Sequence, residues 1–244
     1  MSASKPPIPS VWARQRRQRD QPVLSQDRIV AEALKLLDEE GIEALSMRTL
    51  GTRLGAGATS IYRHVANKDE LIELVIDEVY GELRIPAIDA GTWAEALVEC
   101  ARELRAMMLR HPWVASVLGQ VGMVQLGPNL LRQSERMLAL VQGAGFPAGE
   151  ADQVLNMLIA YVVGMTTSEA AYLSLLARSG QTEQEWAESL RPTAEQVMEG
   201  HPLMQAEFLA RVGDDPAQMR EEGFRYGLDR LLDGLQSRLT ALNG

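Results

Sequence analysis

Apolar residues in this chain recur three and four positions apart through most of its length. No stretch sustains the apolar–polar alternation of a half-buried strand. Glycine and proline punctuate the pattern and cut it into successive helical segments. The expected fold class is therefore all-α. At 244 residues the chain exceeds the usual single-domain size, so one extended domain or two modest ones is expected. Hydrophobic residues at 46% and charged residues at 23% exclude wholesale disorder.

The formal net charge is −9, from 33 acidic and 24 basic residues, a balance that argues against a phosphate-binding protein. Its distribution reverses that reading. Residues 1–68 hold eleven basic and seven acidic side chains, a net of +4, and the remainder carries −13. A basic head on an acidic body implies two modules with different partners. Arg14, Arg16, Arg17 and Arg19 crowd into the first twenty residues. This arm is either a solvated tail or a DNA-touching extension. It has no continuous apolar run of the kind a secretory signal needs. The lone Cys100 permits no intrachain disulfide, which points to a reducing, cytoplasmic compartment. The longest apolar run, Val154–Met165, is too short for a hydrocarbon core needing roughly 20 residues, so no membrane partner is expected.

Ser25 can cap a first helix that carries Ile29, Val30, Ala33, Leu34 and Leu37 and ends at Gly41. Ser46 can cap a second, with Met47, Leu50 and Leu54, closed by Gly55. After the turn Gly55-Ala56-Gly57-Ala58, a short third helix is expected over Thr59–Val65, with Ile61 and Val65 inward. Ser60, Tyr62, Arg63 and His64 then face outward. Seven residues rise only about 10 Å, too little to justify the helix by burial alone. Its polar outer face suits base edges and phosphates, and the arrangement reads as a helix-turn-helix. An ordinary helical corner is the competing reading. Asn67 can cap a fourth helix, with Glu70 at the capping-box position and Lys68 placed to meet a phosphate. Leu71, Ile72, Val75, Ile76, Val79 and Leu83 continue that helix until Pro86.

These residues carry a specific likeness. The turn after Leu54-Gly55, the box Ser60-Ile61-Tyr62-Arg63-His64-Val65 and the run Asn67-Lys68-Asp69-Glu70-Leu71 resemble the DNA-binding domain of the tetracycline-repressor (TetR) family of bacterial transcriptional regulators. The resemblance implies a double-stranded operator as partner, with Thr59, Ser60, Tyr62, Arg63 and His64 on the recognition helix. It places Tyr62 and Lys68 on the DNA backbone and Arg48 against a base or phosphate. Ala58 departs from the family pattern, where a polar reader is frequent. His64 packing on the first helix and Arg48 pairing with Glu43 are the competing structural roles. The implied organisation is a flexible basic arm at 1–20, a DNA-binding domain at 21–67, a connecting helix at 68–85 and an effector-binding, dimerising domain at 86–244.

In the body, Trp93–Arg110 presents Leu97, Cys100, Ala101, Leu104 and Met108 on one stripe, which makes Cys100 a core hydrophobe. His111-Pro112-Trp113 breaks this helix, and Gly127-Pro128-Asn129 opens one running to Gln142-Gly143. Two later segments repeat apolar residues at fours and threes. They expose Val154, Leu158 and Val162 in the first, and Phe224, Leu228, Leu231, Leu235 and Leu239 in the last, as candidates for a homodimer interface. Burial within one subunit explains either segment alone. His111-Pro112-Trp113, Leu126-Gly127-Pro128-Asn129 and Phe224–Gly234 also resemble the C-terminal domain of tetracycline-repressor-type proteins.

A small hydrophobic effector would be lined by Met107, Met108, Trp113, Met123, Met157, Tyr161, Met165 and Tyr172, with Thr166 and Glu169 as polar anchors. Each is also an ordinary core candidate. His64, His111 and His201 form no metal-spaced cluster, so neither metal nor cofactor is expected. The tetracycline repressor holds a metal with its drug through a histidine, and the matching stretch here reads Val117-Leu118. The chain has no Gly-x-Ser-x-Gly elbow, phosphate loop, dinucleotide fingerprint or HExxH pair, which argues against an enzyme. The expected function is a ligand-responsive repressor. A helical small-molecule-binding protein or enzyme without DNA activity is the alternative.

Overall fold

Ser25 stands extended ahead of the first helix, and its hydroxyl accepts the Arg28 N–H at 3.2 Å. That cap opens α1 (Gln26–Glu40), which buries Ile29, Val30, Ala33, Leu36 and Leu37 and stops at Gly41, φ 80°. The structure is a computed structural model that describes residues 24–86, 92–121 and 127–243. The arm at 1–20 and Met123 lie outside the described residues. Ser46 accepts the Thr49 N–H at 3.0 Å and opens α2 (Met47–Leu54), which ends at the left-handed Gly55, φ 63°. The turn that follows folds back so closely that a Cβ at Gly51 would lie 2.7 Å from the Ala56 carbonyl oxygen.

The third helix is shorter than its sequence predicts. α3 spans Ala58–Ile61 rather than Thr59–Val65. Beyond Ile61 the chain continues in tight turns, with Arg63 N–H donating to Ser60 O and His64 N–H to Ile61 O. Three residues that face outward offer no apolar contact to hold a longer α-helix, and the i→i+3 bonds of a 3-10 turn take over. The inward anchors Ile61 and Val65 are both fully buried. Asn67 then caps α4 (Lys68–Tyr80) by accepting the Glu70 N–H at 2.8 Å. The reciprocal contact reaches one residue further back, since the Glu70 carboxylate accepts the Ala66 N–H at 3.1 Å.

The body continues with α5 (Trp93–Arg110), opened by a complete Thr92–Glu95 capping box, then α6 (Trp113–Val121) and α7 (Pro128–Gly143). Beyond these lie α8 (Glu150–Ser179), α9 (Glu183–Val197), α10 (Pro202–Leu209) and α11 (Pro216–Asn243). No strand occurs among the described residues. The fold is all-α, as the periodicity predicts. Packing divides the chain into one unit at 1–159 and another at 160–244. The head and α4 therefore belong to the same unit as α5–α7.

Within the first unit α7 is fastened both to α4 and to the segment that follows it. The Asp77 carboxylate accepts the N–H groups of Asn129 and Leu130, each at 3.0 Å, and one turn on, Gln133 Nε2 donates to Leu83 O at 2.9 Å. Gly127 permits this approach, because a Cβ there would overlap the Asp77 carboxylate. Burial raises the Asp77 pKa, against the opposing pull of the Leu130 and Asn129 N–H groups.

Within the second unit the Tyr161 hydroxyl donates to Phe224 O at 2.7 Å, and the two rings stand 5.7 Å apart. Arg220 on α11 pairs with Glu169 of α8 at 3.3 Å and with Glu183 of α9, and its guanidinium lies 5.4 Å from the Tyr172 ring centre. Tyr172 in turn packs on Trp186 at 5.1 Å.

Val154, Leu158, Val162, Phe224, Leu228, Leu235 and Leu239 are all buried within the single chain. Leu232 is buried where the repeat predicts Leu231, which is only half-buried. The spacing correctly identifies buried positions but does not say which chain buries them. The apolar run Val154–Met165 also belongs to a helix of 30 residues, which by length and composition alone could cross a membrane.

Candidate nucleic-acid interface

The α2–α3 corner is held from behind by its apolar residues and by α1. Leu50, Ile61 and Val65 are fully buried, and Gln26 Nε2 on α1 donates to the His64 carbonyl at 3.4 Å. This last contact links residues 38 apart and has no sequence signal. It engages the backbone of His64 and not its imidazole. Arg53, on the last turn of α2, is drawn to α1 by Glu32 at 2.7 Å, Glu39 at 2.6 Å and Glu40 at 3.1 Å. Its charge is thus spent on fixing α2 against α1, and it is not among the cations offered outward.

The outer face is built from the remaining polar residues. Tyr62 is 52% exposed, a large fraction for an aromatic side chain in a folded head. Thr59, Arg63 and Arg48 are exposed, and Ser60, His64 and Lys68 are half-buried. All seven sequence-predicted DNA contacts thus lie on α2, on α3 and its following turns, and at the first residue of α4. Exposed hydroxyls, a guanidinium and an aromatic ring on so short an element can hydrogen-bond base edges and grip phosphates. Lys68 leads a helix whose first turn also carries Asp69 and Glu70, so its ammonium offsets two carboxylates close by.

The predicted effector residues fall into two groups. In the first unit Met107, Met108 and Trp113 are buried at the α5–α6 corner, and the Trp113 indole N–H donates to Asp38 at 2.8 Å. Met157 stays 44% exposed. In the second unit Tyr161 and Tyr172 make the contacts given above, Glu169 is committed to Arg220, and Met165 is 40% exposed. Thr166 is fully buried and its Oγ1 has no hydrogen-bond partner. Sequence reasoning passed over one comparable group, Gln133. Its amide oxygen is also buried and unpartnered, while its nitrogen holds Leu83 at the end of the connecting segment. An isolated glutamine on a helix gives no sign of this. Cys100 is 2% exposed, and burial pushes its thiol up to about 12, which matches a core role.

Comparison with known proteins agrees with both halves. Residues 29–75 match the family model described as bacterial regulatory proteins, tetR family. Residues 85–239 match the tetracyclin repressor-like C-terminal domain. The transcriptional repressor DrrR1 of Streptomyces coeruleorubidus is 34% identical over 226 residues, spanning 91% of this chain and 81% of that one. Apo ActR of Streptomyces coelicolor superposes with a TM-score of 0.74 at 30% identity, covering 91% of this chain and all of the other. BioQ bound to its double-stranded operator superposes at 0.60 with 25% identity, over 87% of this chain and 98% of BioQ. An exposed polar face behind a buried apolar anchor, two matching domain models and similarity along nearly the whole chain lead to one assignment: the chain belongs to the TetR family of bacterial transcriptional regulators.

Proposed function

We propose that this protein is a repressor that binds a pseudo-palindromic operator as a homodimer and leaves it when a small apolar effector enters the helical body. The observation that carries the reading is the outward set Thr59, Tyr62 and Arg63, held in place by the fully buried Ile61 and Val65. Two such faces related by a two-fold axis would enter successive major grooves. Arg48 and Lys68 flank the face and supply phosphate contacts. The charge asymmetry supports the orientation, because the acidic body is repelled by DNA, whereas residues 24–68 balance their charges and the arm before them carries the basic excess.

For the second copy, the exposed apolar residues of α8, namely Met157, Met165 and Leu175, offer apolar surface beside the repeat positions. For the effector, ActR has been solved with actinorhodin, and its likeness to this chain supports a small-molecule ligand here. Within the second unit, the buried, unpartnered Thr166 Oγ1 favours an effector that carries a hydroxyl or N–H group. The body would act on DNA through α4, whose coupling need be no larger than about 1–3 kcal/mol. The relatives are bacterial transcriptional regulators, which supports a cytoplasmic compartment and a non-enzymatic role as part of the same reading.

The test is the stoichiometry of the complex with a duplex taken from upstream of the protein's own coding region. Light scattering should give two chains, or a multiple of two, per duplex. A single chain per duplex, or no complex at low salt, contradicts the proposal.

A further inference from the structure

His111 occupies the joint between head and body. It is buried at the end of α5, and both of its ring nitrogens face carboxylates. Nδ1 lies 2.7 Å from Asp38 Oδ1 on α1, and Nε2 lies 3.2 and 3.3 Å from the two oxygens of Glu82, just beyond α4. From α6, the Trp113 N–H donates to the same Asp38 oxygen. From α5, Arg110 donates to Glu82 at 2.9 Å.

A neutral imidazole has one donor and one acceptor. In this geometry it could satisfy only one carboxylate, and would turn a lone pair toward the other. The indole N–H donates to Asp38 and the guanidinium to Glu82, so each carboxylate already accepts one hydrogen bond besides the contact with the ring. Burial alone would push Glu82 up, but the hydrogen bonds from Arg110 and His111 outweigh it and hold the group below its ordinary range. A hydrogen on each ring nitrogen would complete the bridge to both carboxylates. We propose that His111 is a proton-operated latch: doubly protonated, it ties α1 of the DNA-binding head and the end of α4 to the α5–α6 corner of the body, and loss of one proton opens one side of the tie. The inference concerns the joint alone and requires no effector.

Glu82→Gln tests it in the full-length chain. The glutamine can either accept from or donate to Nε2, so the neutral ring is then satisfied on both sides. Imidazole nitrogen spectra, with the His111 signals assigned by their loss in His111→Asn, should show His111 releasing its second proton at least about tenfold more readily in Glu82→Gln than in the wild type. Raising the pH from about 6 to about 8.5 should lower the thermal midpoint of the wild type by about 2–4 °C more than that of Glu82→Gln. His64 and His201 are common to both proteins, so their contributions cancel. Equal proton affinities of His111 in the two proteins, or parallel midpoint curves, would overturn the latch.

Discussion

The Asp77 carboxylate on α4 accepts the Asn129 N–H at 3.0 Å, so the connecting helix supplies the N-terminal cap of a helix more than fifty residues away. A carboxylate at a helix N-terminus meets both free N–H groups and the positive end of the helix dipole. Gly127 leaves the room this needs. Displacement of α7 would in this way be felt directly on α4.

The first prediction follows from that contact. Asp77→Ala removes the cap from α7 and should destabilise the protein by about 1–2 kcal/mol in urea unfolding. Gly127→Ala should be destabilising too, because its Cβ displaces the carboxylate. Unfolding free energies within experimental error of wild type for both would show that the staple is not formed.

How much of this was legible in the sequence depends on chain distance. The caps at Ser25, Ser46 and Asn67 and the stops at Gly41 and Gly55 were readable because each rests on bonds within one turn. The outward set from Thr59 to His64 was readable for the same reason, although α3 ends earlier than its pattern implies. Asp38 with His111 and Glu169 with Arg220 were not, since they join residues 73 and 51 apart that carry no local mark of each other. The heptad in α11 found the buried positions, yet periodicity is blind to which surface covers them.

A second prediction concerns acid. Because Glu82 is held below the ordinary glutamate value of 4.5, its bonds to Arg110 and His111 stabilise the fold above that value. The contribution is lost as pH falls through the depressed folded-state value. Glu82→Gln should therefore lose less stability than wild type on acidification below about pH 4.5. Thermal midpoints of the two proteins across that range would reveal it, and identical acid limbs would refute it.

In the second unit, Tyr161→Phe deletes the hydroxyl that donates to Phe224 O and should cost about 1 kcal/mol. Gly227→Ala drives a methyl group into the Tyr161 ring and should cost about 1–3 kcal/mol. Combining them measures the coupling, and strictly additive losses would show that the two residues do not share this contact.

Cys100 should be inert in the folded protein. Its burial and a thiol pushed up to about 12 leave little thiolate at neutral pH. Labelling with a maleimide should proceed only at the rate of unfolding, and fast modification under native conditions would contradict the packing of α5.

The central claim is that the face around Tyr62 and Lys68 docks on DNA. Its most direct test is the salt dependence of binding to the upstream duplex, measured by fluorescence anisotropy for the wild type and for Tyr62→Ala combined with Lys68→Ala. Affinity should fall steeply with salt in the wild type. The double variant should bind every sequence more weakly, with a slope reduced by about one phosphate contact. An unchanged operator affinity and slope in the folded double variant would contradict the account.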